Sequence, residues 1–94
     1  MPDLANPCSL PARLTLEQAV PTLEQLRSAL LAQPGPTALL DAGALSECDS
    51  SAVAVLLELR RVLQQQGKTL QLHNGPQRLR DLVALYGVQE LLTV

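Results

Sequence analysis

Apolar positions along the chain switch between two periods, and the segments they define alternate. Residues 8–14 alternate poorly and contain Pro11, so they make at best an edge strand. From Thr15 the pattern turns helical: Ala19, Leu23, Leu26 and Leu30 recur at helical spacing behind a Thr15 and Gln18 capping box. Pro21 falls early in this helix and is expected to bend it or start it afresh. Gln33-Pro34-Gly35-Pro36 stops it. The short apolar run of residues 37–41 that follows this breaker reads as a buried strand.

The second half repeats the alternation. Asp49-Ser50-Ser51 supplies N-cap chemistry for a helix with Ala52, Val55, Leu56, Leu59, Val62 and Leu63 on one broad face. Gly67 is its expected C-terminal cap. Residues 68–73 alternate with period two and predict a second clear strand, which sets His73 on the face opposite Leu70 and Leu72. Asn74-Gly75-Pro76 turns the chain, with Pro76 suited to a first helical position. Leu79, Leu82, Val83 and Tyr86 mark a third amphipathic helix that Gly87 ends, with Tyr86 in the core at its end. Residues 88–94 form a short apolar tail, extended or one helical turn, and residues 1–7 a flexible lead-in.

The order strand, helix, strand, helix, strand, helix predicts an α/β fold built from βαβ units: a small mixed β-sheet with helices packed against it. Ninety-four residues make one domain, here residues 8–94. Hydrophobic residues are 47% of the chain but aromatic ones only 1%, so leucine supplies most of the core volume. That composition excludes intrinsic disorder. It also argues against single-strand nucleic-acid readers, which stack bases on aromatic rings. A net charge of −2 removes the basic footprint of a DNA-binding domain, so no nucleic-acid partner is expected.

No apolar run approaches the roughly 18 residues that span a bilayer, and Met1-Pro2-Asp3-Leu4 lacks the features of a secretory signal. Cys8 and Cys48 match no metal or redox spacing and are expected to be reduced core thiols. These features predict a cytoplasmic protein that meets a membrane only through a partner, with no metal and no cofactor.

Chemistry concentrates in Ser46-Glu47-Cys48-Asp49-Ser50-Ser51, between a strand and an apolar helix. Capping explains much of it, because the first N–H groups of a helix need acceptors. A hydroxyl in the first turn also lies at the positive end of the helix dipole, where backbone N–H groups hold phosphate. Ser51, expected to stand outward, and Ser50 are therefore phosphoacceptor candidates. Asp41, at a strand end near this patch, is a further candidate for a partner or cation site, or simply accepts N–H bonds from its loop. A hydrolase built on Ser51, His73 and Asp41 is disfavoured because no G-x-S-x-G elbow surrounds Ser51. Arg60, Arg61, Arg78 and Arg80 are expected on solvated helix faces.

Asp49-Ser50-Ser51-Ala52, followed by Val53-Ala54-Val55-Leu56-Leu57, resembles the D-[ST]-[SAG]-G-hydrophobic motif of STAS domains, the sulphate-transporter and anti-sigma-factor-antagonist modules. Leu39-Leu40-Asp41 is similar to the family's strand ending in Asp, and Gln66-Gly67-Lys68-Thr69-Leu70 to its turn into the next strand. Leu82-Val83-Ala84-Leu85-Tyr86-Gly87-Val88 and the proline within Val20-Pro21-Thr22-Leu23-Glu24 resemble most the MlaB branch. Two departures stand out: Ala52 replaces the usual Gly, and Gly43 the frequent Ser of the turn after the strand. The N-terminal strand pair is also short.

The resemblance implies a regulatory interaction module with no catalytic activity, bound to the ATPase of an ABC transporter that moves phospholipids for outer-membrane lipid asymmetry. Glu47, Asp49, Ser50, Ser51 and Asp41 are the partner-binding residues on this reading. Ser50 aligns with the hydroxyl residue beside the ATPase contact. Ser51 aligns with the serine that a partner kinase phosphorylates in anti-sigma factor antagonists, and that role, with an anti-sigma factor or serine kinase as partner, is the alternative.

Overall fold

The computed structural model describes residues 8–92. The expected lead-in over residues 1–7 and the last two residues lie outside them. In chain order the elements are β1 (Cys8–Ser9), β2 (Arg13–Leu14), α1 (Leu16–Ala32), β3 (Thr37–Asp41), β4 (Glu47–Cys48), α2 (Ser50–Gln65), β5 (Thr69–His73) and α3 (Gln77–Leu85). The chain is α/β, as its alternating pattern predicts. Among the described residues every strand pair is parallel: β3 lies between β1 and β5, and β2 pairs with β4 in a separate two-stranded sheet.

Residues 8–14 are thus two strands in two sheets rather than one edge strand, because Pro11 lies between them and cannot donate to a ladder. β4 has no counterpart in the sequence reading, since two residues carry no detectable alternation. Pro21 neither ends nor restarts α1, which runs unbroken from Leu16 to Ala32. The carbonyl that its missing N–H leaves free belongs to Glu17, in the exposed first turn where water can reach it.

Helix ends follow local chemistry. The Thr15 and Gln18 capping box is present, with Gln18 Oε1 accepting the Thr15 N–H at 3.0 Å. Gly67 follows α2 with φ 73°; its N–H donates to the Gln64 carbonyl and the Lys68 N–H to that of Leu63, a Schellman closure that a left-handed residue permits. Gly87 closes α3 in the same way. Pro76 is the N-cap of α3 rather than its first residue. After α3 the chain makes one more turn, with the Leu92 N–H donating to the Val88 carbonyl at 2.9 Å and Leu92 buried.

The core is aliphatic. Leu10, Leu14, Leu30, Leu40, Leu56, Leu59, Leu63, Leu79 and Val83 are its largest fully buried side chains. The predicted inner faces hold with local changes: Thr22 is buried with Leu26 and Leu30 on α1, while Ala19 and Leu23 are half-buried. On α2, Val53 joins the buried set and Val62 is only half-buried. Both cysteines are free thiols; Cys48 is in the core, whereas Cys8 is half-buried against it. No helix among the described residues is long and apolar enough to cross a membrane.

Candidate functional site

The small sheet assembles the site. β2 and β4 pair with Arg13 opposite Glu47 and Leu14 opposite Cys48. Each strand runs directly into a helix: Thr15 then caps α1, and Asp49 caps α2. Two parallel strands in register, each one residue short of a helix, set the two helix N-termini side by side. Leu14 and Cys48 are buried and anchor the pair from below.

Asp49 serves both helices. Its Oδ1 accepts the Ser51 N–H at 2.8 Å, the expected cap of α2. Its Oδ2 accepts the Leu16 N–H of α1 at 3.4 Å. Asp49 is thus the cap of α2 that the sequence predicts, but its carboxylate also takes the Leu16 N–H of α1, which the sequence did not predict. The hydroxyl geometry differs as well: Ser50 is exposed, and Ser51, expected to point outward, is half-buried.

Ser51 faces an apolar groove between the two helices, lined by Leu16, Val20 and Leu23 of α1 and Ala54 and Val55 of α2. A second apolar groove lies on the other side of α2, lined by Ser50, Val53, Ala54, Leu57, Tyr86 and Val88. Ala54 belongs to both, so one uncharged strip crosses α2 from the start of α1 to the end of α3. Large apolar side chains stand in water along it: Leu16 is 76% exposed, Val20 64% and Tyr86 52%. Tyr86 is therefore at the surface, not in the core, because it occupies the C-cap of α3 as the helix unwinds. The Glu58–Arg61 ion pair ends the strip one turn further along α2. It also accounts for the lowered Glu58 pKa and the raised Arg61 pKa.

Two predicted residues are less free than the sequence suggests. Glu47 lies 3.4 Å from Arg13, its register partner, and Arg13 also reaches Glu17 at 3.9 Å, an exposed network of little energetic weight. Asp41 is apart from the Asp49 cluster: among the described residues its carboxylate bonds to the Gly43 N–H at 2.8 Å and the Asn74 side chain at 3.2 Å, and to nothing on α2. The Gly43 N–H, then the Asn74 amide, with a smaller contribution from neighbouring His73, hold its pKa below the ordinary value. This loop clasp, on exposed ground, is the N–H-accepting role expected of Asp41. Gly43 departs from the family serine where the space is taken, since a Cβ there would lie 3.1 Å from Asp41 Oδ1. His73 is exposed beside Asp41, its register partner. No hydrogen bond among the described residues joins Ser51 to either.

Sequence reasoning missed the strip itself. A partial signal exists: Leu16 and Val20 are four residues apart on one flank of the face that buries Leu26 and Leu30, so they widen the apolar side of α1 beyond its buried residues.

No curated protein matches the chain. The sequence profile described as "Mlab, STAS domain" matches residues 9–93, taking in all three helices and the Asp49 cluster. STAS domains are typically non-catalytic modules that mediate protein–protein interaction. With this match over nearly its whole length, and the parallel sheet and capped α2 that accompany it, the chain belongs to the Mlab type of STAS domain family.

Proposed function

We propose that this protein is a cytoplasmic docking subunit for the ATPase of a phospholipid-transporting ABC transporter, and that it reaches the inner membrane only through that partner. The observation that carries this reading is the uncharged strip across α2, with the exposed Leu16, Val20 and Tyr86 flanking Ser50 and Ser51. Exposed apolar surface rimmed by polar residues is the mark of a protein-binding face. The two shallow grooves flanking Ala54 suit two apolar side chains of a partner. The acidic Glu17 and Glu47, which among the described residues pair only with Arg13, favour a basic edge on that partner. The family match supports the interaction role and its Mlab type supports the transporter.

Purification of the tagged chain at native expression should recover an ABC-transporter ATPase. Ala54→Arg adds a charge at an exposed position shared by both grooves and should abolish that recovery without disturbing the core. Recovery of only a serine kinase or an anti-sigma factor would replace this reading with the antagonist role, with Ser51 as phosphoacceptor. Undiminished recovery by Ala54→Arg would remove the strip as the docking face.

A further inference from the structure

We propose that Asp49 is a positioning residue for the groove between α1 and α2: its two carboxylate oxygens each hold a backbone amide from one wall and so set the distance between the walls. Leu16 and Ser51 both line this groove, one on each side. Leu16 donates its N–H to Oδ2 and Ser51 donates its own to Oδ1. The inference rests on the docking reading above and adds to it the group that keeps the groove in shape.

A capped helix needs only one acceptor, and Asn, Ser and Asp serve almost equally well. That equivalence does not explain a carboxylate at this position, whereas the second bond does. The Leu16 N–H lies in the first turn of α1, where no carbonyl of the helix can accept it. Thr15, the N-cap of α1, turns its own N–H and hydroxyl toward Gln18 Oε1. Asp49 thus supplies Leu16 with an acceptor from outside its own helix. An asparagine carries one carbonyl oxygen and an NH₂ group that cannot accept, so it can satisfy one wall but not both. Because Thr15 and Asp49 directly follow the register pair Leu14 and Cys48, the β2–β4 sheet brings the carboxylate within reach of Leu16.

Asp49→Asn separates the two bonds while keeping a good helix cap. Amide hydrogen exchange measured by NMR on the full chain should speed about tenfold at Leu16 and remain nearly unchanged at Ser51. Binding to the purified ABC-transporter ATPase of the native host should weaken several-fold in the same variant, with Ala54→Arg as the control for the docking face. A residue that merely capped α2 would leave both readings at the wild-type value. Unchanged exchange at Leu16 overturns the inference whatever the partner does. Faster exchange at Leu16 with wild-type binding, while Ala54→Arg abolishes binding, overturns the positioning role and leaves the docking face standing. Wild-type binding by both variants overturns the docking reading, and this inference with it.

Discussion

The side chain of Gln33 binds both backbone groups of Leu39: its Oε1 accepts the Leu39 N–H at 2.8 Å and its Nε2 donates to the Leu39 carbonyl at 2.9 Å. Leu39 lies on the edge of β3 that faces β1, one residue before the register pair Cys8 and Leu40. An amide side chain thus continues the ladder where the two described residues of β1 end. The Gln33 carbonyl is held in turn by Lys68 Nζ, which also donates to the Gly35 carbonyl at 2.7 Å.

Gln33→Ala should therefore destabilise the fold by about 1–3 kcal/mol, the cost of leaving part-buried backbone groups without partners. Urea unfolding measures it. A loss within error would mean that water replaces the amide at no cost.

Leu56 is fully buried beneath the α2 strip. Leu56→Ala should cost about 2–5 kcal/mol through lost burial and a residual cavity. The same unfolding experiment compares it with Leu57→Ala, where the half-buried side chain should cost less. Equal losses would contradict the assigned facing of α2.

Acid should loosen the Asp41 clasp. Its pKa is depressed in the folded chain, so its contribution to stability is full above the unfolded-state value and disappears as pH falls through the folded one. A carboxyl NMR titration should give a midpoint below the usual Asp value. Asp41→Asn should remove that share of the acid sensitivity.

The two thiols should react unequally. Burial pushes the Cys48 thiol pKa up, with Arg78 opposing and Asp49 adding to it. Cys8 is half-buried and accepts a hydrogen bond from Gln33 Nε2 at 3.4 Å. Iodoacetamide at neutral pH should label Cys8 first, and peptide mass mapping reads the order. Preferential labelling of Cys48 would mean that β4 opens readily.

Ser51→Asp should weaken partner binding more than Ser50→Asp. It places a charge in the groove between α1 and α2 and beside the Asp49 carboxylate, whereas Ser50, which lines the other groove, is exposed to water. Calorimetric titration with the recovered ATPase tests the ranking. Equal effects would show that charge near the strip matters and its position in the groove does not.

Much of the architecture is legible locally. A helix or strand of five residues or more declares itself through its period, as in residues 52–63 and 69–73, and its end through Gly67 or Gly87. These signals arise within a few positions of one another. The α/β class follows from their alternation, and the aliphatic composition explains how a chain with one aromatic ring still fills a core. Asp49 was legible as a cap for the same reason, since capping joins neighbours.

Tertiary structure decided what Asp49 reaches. Arg13 and Glu47 are far apart in sequence, and strands of two residues have no periodicity to reveal that they pair. Only that pairing brings Leu16 to the second oxygen of Asp49. It likewise set Ser51 into a groove, with Ser50 left exposed, because wall and hydroxyl come from different helices. The exposure of Tyr86 was decided in the same way: its place in the helical pattern predicts burial, but the helix ends beneath it and the ring stands at the rim of the α2 strip. Period and capping act along the chain and can be read from it. The α2 strip depends on which distant segments meet, and that is a property of the folded molecule.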